Sequence, residues 1–219
     1  LSSLPRLPAS RAEIQAVAAI ARETKVLLGP DASEENLVRL AESGELREFS
    51  TIHFATHALV DNNRPEMSAL IMSQLDLPDP VEAALAGNRI FDGLITAKEV
   101  VREWKLGADL VTLSACATAL GRVVGSEGYV GFSHAFFQAG AKSLLVSLWE
   151  VSDRATSLLM QRFYENYFGI PAATGPGRKI PAMSKIAALR EAKQWLQTYT
   201  DEQGRQPFSH PYYWSAFIL

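Results

Sequence analysis

The chain has 219 residues, is 47% hydrophobic and carries a formal net charge of -3 at pH 7. This is enough to bury one substantial core, and the charge excludes the basic field that broad nucleic-acid binding requires. A single cysteine rules out an internal disulfide framework, so we expect a reducing, cytoplasmic setting. No apolar run reaches the roughly 18 residues of a membrane span, and no signal segment opens the chain.

Short apolar runs alternate with segments of helical periodicity. In chain order we expect a helix at 11–22, a strand at 25–28, a helix capped by residue 31 or 33 that ends near 44, strands at 49–55 and 68–73, a helix at 96–104, a strand at 110–113, a helix at 129–138, a strand at 143–149, helices from 152 or 153 through 167 and from 184 to 199, and a strand at 213–219. Capping boxes at Ser10 and Thr96 mark two helix starts. The alternation predicts an α/β fold with a mainly parallel sheet and helices on both faces.

We expect a single domain over residues 1–219. Two segments rich in proline, at 75–88 and 169–183, break the pattern and are expected to be a surface excursion and a loop. The chain starts at Leu1 and ends in the apolar run Ala216–Leu219, which suggests a domain excised from a longer protein.

The only cysteine, Cys116, stands where the apolar run 110–113 gives way to a loop of small residues. In open α/β sheets, ligands and chemistry lie at the carboxyl ends of strands. By composition alone, a lone cysteine is more often a small buried hydrophobic residue. The role of Cys116 therefore depends on a partner elsewhere in the chain.

Seven short motifs, in order across nearly the whole chain, resemble the CHAT domain, a caspase-like and separase-like cysteine peptidase family. They are Ile52–His57, Asp92–Ala97, Leu113–Cys116, Glu127–Gly128, Ala139–Ala141, Leu148–Asp153 and His210–Trp214. The resemblance implies a caspase-type sheet and a catalytic dyad that maps onto His57 and Cys116. It also implies regulation by neighbouring helical repeats of the tetratricopeptide (TPR) type or by an activator protein.

The residues themselves agree with this pairing. His57 follows the strand 49–55, and it precedes Cys116 by 59 residues, similar to the spacing of about 50 in caspases. An imidazole can deprotonate a thiol and then protonate a leaving amine. No metal or organic cofactor is expected, because one cysteine and scattered histidines make no ligand cluster.

The resemblance also assigns an oxyanion hole and a P1 pocket. The oxyanion donors would be the backbone N–H groups of Ala58 and Cys116, although the family usually has glycine at the first position. In separases an acidic residue from the corresponding region binds a basic P1 side chain. The resemblance therefore predicts that Asp153 lines that pocket, with Glu150 as the second candidate. Ser152 or Asp153 is equally what a helix N-cap requires.

The predicted activity is a cysteine endopeptidase that acts on protein substrates, gated by a partner or a flanking domain. A catalytically silent, peptidase-like interaction module is the first alternative. Cys116 and Arg122 also have the spacing of a cysteine phosphatase, but the surrounding residues of that signature are missing.

Five further polar residues favour structural roles. His53 lies inside a strand, His134 lies among phenylalanines, and His210 precedes a proline where we expect a structural hydrogen bond. Asp61 and Arg64 occupy a polar loop after His57, and solvated loop residues are the simpler interpretation.

Overall fold

The computed structural model describes residues 7–21, 23–114, 127–170 and 181–219. They fall into two compact units, one within Leu1–Val26 and Leu145–Leu219 and the other within Leu27–Leu144. The predicted α/β class is confirmed, because the structure has a mixed, mainly parallel sheet flanked by helices, consistent with a caspase-like fold.

The unit within Leu27–Leu144 carries most of the strands. Its helices and strands are α2 (Glu34–Glu42), β1 (Thr51–Phe54), β2 (Ala58–Leu59), β3 (Ala69–Ile71), α3 (Pro80–Leu85), β4 (Leu94–Thr96), α4 (Ala97–Glu103), β5 (Leu110–Leu113) and α5 (Glu127–Ala139). Strands β1 and β5 are parallel, in a register that runs from Thr51 opposite Leu110 to Phe54 opposite Leu113. All four residues of β5 are buried, which explains why three of them are apolar and why the strand shows no alternation of apolar and polar residues.

A second, antiparallel sheet follows β1. Strand β3 lies between β2 and β4, with Ala58 opposite Leu70 and Ala69 opposite Thr96. The predicted strand at 68–73 therefore exists as β3, but it does not join the parallel pairing. The prediction of β3 rests on the run 68–73, which is longer than the strand itself. Strands β2 and β4 have two and three residues, too few to show a period-two pattern, and the sequence did not reveal them.

Three aromatic rings fix the end of β1 against the helices of this unit. Phe54, Trp104 and Phe136 are buried, and their ring centroids are 6.0 to 6.2 Å apart. Rings at these distances attract one another beyond the gain from burial alone. The carboxyl end of β1 is thus held in a rigid part of the core.

The other unit is built mainly from helices. It contains α1 (Ser10–Ile20), most of β6 (Leu144–Ser147), α6 (Asp153–Phe168), α7 (Lys185–Thr198) and β7 (Phe217–Ile218). Helix α6 packs on α1 and α7 and buries Phe163 and Tyr164 completely. Strands β6 and β7 are antiparallel, with Ser147 opposite Phe217.

Local capping signals were correct at three helices and wrong at one. Ser33 and Ser184 accept hydrogen bonds from the first turns of α2 and α7, and Thr96 with Glu99 forms the predicted capping box. At α1 the N-cap is Ala9, and the hydroxyl of Ser10 donates to Leu7 at 2.8 Å. Because Ser10 lies inside the first turn, its side chain bonds backward rather than to Glu13.

Two other expectations need correction. No strand forms at 25–28, where Lys25 and Val26 are exposed. The final strand shrinks to two residues, because Pro211–Tyr213 forms a 3-10 turn. The segment 75–88 is a surface excursion as expected, since all its residues except Ala83 are exposed, and it contains α3. Most of the predicted loop at 169–183, residues 171–180, lies outside the described residues.

Candidate active site

The two strand ends that precede the predicted dyad are adjacent and hydrogen-bonded. Phe54 ends β1 opposite Leu113, which ends β5. The backbone N–H and the hydroxyl of Ser114 both donate to the carbonyl of Phe54, at 3.0 and 3.2 Å. His57 follows Phe54 by three residues, and Cys116, which lies outside the described residues, follows Ser114 by two. Extended chain of those lengths reaches at most about 11 and 7 Å, and the two segments leave the sheet from adjacent strand ends.

His57 is buried, with 9% of its surface exposed. Its carbonyl accepts a hydrogen bond from the N–H of Ile71 at 2.9 Å. The hydroxyl of the preceding residue, Thr56, donates to the carbonyl of the same Ile71. The N–H of Ile71 thus bonds to the main chain of His57, and the carbonyl of Ile71 bonds to the side chain of the preceding residue, Thr56. Both bonds hold this segment against β3.

Ala58 directs its backbone N–H away from β3. The bond from Ile71 to His57 makes those two residues a hydrogen-bonded pair, and such pairs alternate with non-hydrogen-bonded pairs along an antiparallel ladder. Ala58 and Leu70 form the next pair, so the N–H of Ala58 points toward the outer edge of β2. Asp76 is the one non-glycine residue with positive φ in the described ranges, so the alanine fits its conformation without backbone strain.

The predicted P1 residues lie in the unit that contains residues 145–219. Asp153 is the first residue of α6, and the N-cap is Ser152, whose side chain makes no capping hydrogen bond. Asp153 is therefore not the N-cap, although a carboxylate in the first turn suits the helix dipole. Glu150 is exposed, and its carbonyl accepts a hydrogen bond from the hydroxyl of Tyr212.

Asp61 organises the loop after β2. Its carboxylate accepts hydrogen bonds from the backbone N–H groups of Asn63 and Arg64, both at 2.9 Å. The bond from Arg64 contributes most to lowering the pKa of Asp61, and the Arg64 side chain, 3.5 Å away, adds to it. The carboxylate of Asp61 thus stabilises the turn that follows it.

The remaining histidines differ in their surroundings. His134 is exposed on α5, and His53 is half-buried in β1 opposite Thr112. Nδ1 of His210 accepts a hydrogen bond from the N–H of Tyr212 at 3.2 Å. The structural hydrogen bond predicted for His210 is confirmed, whereas His53 is less buried than expected.

Sequence reasoning missed the two hydroxyls nearest the site. Thr56 precedes His57 directly, and Ser114 precedes Cys116 by two residues. Each hydroxyl bonds to a backbone carbonyl of a neighbouring strand. Their position inside the histidine and cysteine motifs was the available signal. Arg122, the phosphatase candidate, lies outside the described residues.

The described ranges lack the features of two other kinds of site. None of the helices in those ranges is long and apolar enough to cross a membrane. The same ranges hold no group of three or more His, Cys, Asp or Glu side chains arranged to bind a metal ion.

Comparison with known proteins gives the family. The chain is 32% identical over 126 residues to tetratricopeptide repeat protein 28 from Mus musculus, covering 58% of this chain and 4% of that protein. It is 27% identical over 213 residues to tetratricopeptide repeat protein 28 from Homo sapiens, covering 88% of this chain and 8% of that protein. The chain thus spans less than a tenth of either relative. The CHAT domain profile matches residues 1–219, and with this match over the whole length the chain belongs to the CHAT domain family.

Proposed function

We propose that this domain is a cysteine endopeptidase that hydrolyses peptide bonds in protein substrates through His57 and Cys116. The observation that carries the proposal is that the carboxyl ends of β1 and β5 are hydrogen-bonded to each other. Ser114 donates two hydrogen bonds to the carbonyl of Phe54 there. Two short segments of chain leave this point, one toward a buried imidazole and the other toward the only thiol of the protein. A base and a nucleophile on one rim are what thiol-based acyl transfer requires.

In the first half of the reaction, Nε2 or Nδ1 of His57 takes the proton from Sγ of Cys116. The thiolate attacks the scissile carbonyl carbon, and the carbonyl π electrons move onto oxygen. The N–H of Ala58, which points to the outer edge of β2, and the N–H of Cys116 stabilise that oxyanion. When the C–N bond breaks, the imidazolium gives its proton to the departing amine.

The second half releases the acyl group from the thioester. A water molecule loses a proton to His57 and attacks the thioester carbon. Collapse of the second tetrahedral intermediate breaks the C–S bond, and the proton on His57 returns to sulfur. The products are the carboxylic acid and the free thiol, so the cycle closes without a cofactor.

Substrate choice and control belong to the same proposal. Asp153, with Glu150 as the second candidate, would select a basic P1 side chain, since a carboxylate pairs well with Arg or Lys. The names of both relatives refer to tetratricopeptide repeats, which supports control by a helical-repeat region or an activator protein. A gated domain is expected to cleave slowly until that partner is present.

A peptide-library cleavage assay with and without candidate activators tests the proposal. We expect Cys116→Ala and His57→Ala to abolish cleavage. His134→Ala is the matched control, because this histidine is exposed on α5, and it should cleave like the parent protein. Cleavage that persists in Cys116→Ala would refute the mechanism. Partner binding by a parent protein that cleaves under no condition would instead identify an interaction module.

A further inference from the structure

The motif His210–Trp214 has no role in the chemistry proposed above, yet it is bonded to the segment that leads into α6. The hydroxyl of Tyr212 donates to the carbonyl of Glu150. In the opposite direction, Nε1 of Trp149 donates to the carbonyl of Tyr212 at 3.0 Å. The Trp149 and Tyr212 rings also lie against each other, with centroids 6.4 Å apart. We call these three contacts the Tyr212 clasp.

Further hydrogen bonds hold the residues on both sides of the clasp in place. Nδ1 of His210 caps the 3-10 turn by accepting from the N–H of Tyr212 at 3.2 Å, and the hydroxyl of Ser215 donates to Pro211 at 2.7 Å. The N–H of Leu148 donates to the carbonyl of Ala216 at 2.9 Å. The chain is therefore held at residue 148 by backbone pairing and at residues 149 and 150 by Tyr212.

The position of the clasp in the chain suggests its purpose. Glu150 and Asp153, both proposed P1 residues, bracket the two residues between the clasp and α6, and Asp153 starts that helix. A side chain used for selection must be held within about 0.5 Å of its productive geometry by neighbours that are themselves fixed. Glu150 is exposed, so packing of its own side chain does not supply that restraint.

We propose that Tyr212 is a positioning residue for substrate selection, which holds segment 149–153 through its hydroxyl and its carbonyl. This inference rests on the proposed peptidase function. Tyr212 touches no reacting group in this proposal and acts through the segment that it holds. Its loss is therefore expected to change which substrates bind rather than the rate of the chemical step.

The first test is substrate selectivity in Tyr212→Phe, measured in the full chain with any activator that the parent requires. This variant keeps the ring and the backbone carbonyl and removes only the donor to Glu150. For the P1 residue that the parent prefers, kcat/KM relative to a disfavoured P1 residue should fall about three- to tenfold, the factor expected for one hydrogen bond. The fall should come through KM. Trp149→Phe, which removes the other donor of the clasp, should have the same effect.

Tyr213→Phe is the matched control. Tyr213 is half-buried and packs on Phe208 with ring centroids 5.3 Å apart, and no hydrogen bond to its hydroxyl occurs within the described part of the chain. Its selectivity should equal that of the parent. Equal selectivity of Tyr212→Phe and the parent, or an equal loss in Tyr213→Phe, would overturn the inference.

The second test does not depend on cleavage. The indole N–H signal of Trp149 in a ¹H–¹⁵N spectrum, assigned from its absence in Trp149→Phe, should shift in Tyr212→Phe and stay in place in Tyr213→Phe. An unmoved signal in Tyr212→Phe overturns the inference whether or not the protein is a peptidase. If the parent cleaves no peptide but the signal moves, the peptidase proposal fails and the positioning of segment 149–153 by Tyr212 stands.

Discussion

Replacing Ala58 by proline removes one backbone N–H and nothing else that can donate a hydrogen bond. This N–H points away from β3, toward the outer edge of β2. Prolines within sheets are tolerated at edge positions whose N–H takes no part in the ladder. We therefore expect Ala58→Pro to fold and to lack one of the two proposed oxyanion donors.

The expected magnitudes separate catalysis from stability. Loss of one oxyanion donor lowers kcat by about 10²- to 10³-fold, or about 3 to 4 kcal/mol of transition-state stabilisation. No bond between β2 and β3 is lost, so the free energy of unfolding should change by no more than about 1 kcal/mol. Ala58→Gly keeps the N–H and should retain activity. Leu59→Pro should cost about 1 to 3 kcal/mol, because the N–H of Leu59 points toward β3.

Three measurements are needed on the same samples: kcat with a cleavable peptide, the free energy of unfolding in urea, and the rate of alkylation by iodoacetamide. Cys116 is the only cysteine, so alkylation reports on one thiol. Formation of the thiolate depends on His57 and not on the oxyanion donors. Ala58→Pro should therefore be alkylated at the parental rate while kcat collapses.

Two results would refute this reasoning. If Ala58→Pro keeps more than about a tenth of the parental kcat, the N–H of Ala58 is not an oxyanion donor. If alkylation slows in parallel with kcat, the proline has displaced His57, since a proline also restricts the residue that precedes it. The first outcome would remove the role assigned to the edge of β2, and the second would refute the expectation that proline at position 58 leaves His57 in place.

Other predictions concern stability. The buried carboxylate of Glu34 accepts two backbone N–H bonds at 2.9 Å, so urea unfolding should show a loss of about 2 kcal/mol or more in Glu34→Ala and a smaller loss in Glu34→Gln. Burial raises the pKa of Glu34; the parent should therefore gain stability relative to Glu34→Gln as pH falls below the raised value, and equal pH profiles would contradict this. The pKa of Asp61 is lowered, first by the N–H of Arg64, so any advantage of the parent over Asp61→Asn should be present above pH 3.8 and vanish as pH falls through the lowered value. Arg162 donates to both carboxylate oxygens of Glu191. The free energy of unfolding of Arg162→Ala should therefore be about 2 kcal/mol lower than that of the parent. An unchanged urea midpoint would disprove this expectation.

Much of the fold was readable from the sequence because its signals are local. The helix starts at Ser33, Thr96 and Ser184 are set by a side chain that accepts a bond from an N–H three residues away. The run of β5, apolar except for Thr112, reflects burial of every residue in that strand. Ser10 shows the limit of such signals, because the right spacing occurs one residue inside the helix instead of at its N-cap.

The features of the candidate site likewise divide into those that local sequence determines and those that depend on tertiary structure. The sequence by itself determined that an imidazole and the only thiol each follow a strand, since an apolar run and its end are properties of neighbouring residues. Only the tertiary structure decided that those strands are adjacent, that Ala58 turns its N–H to an edge, and that Tyr212 bonds to a carbonyl 62 residues earlier in the chain. Strand pairing and long-range hydrogen bonds join residues whose separation along the chain carries no periodic signal, so they become visible only when the chain is folded.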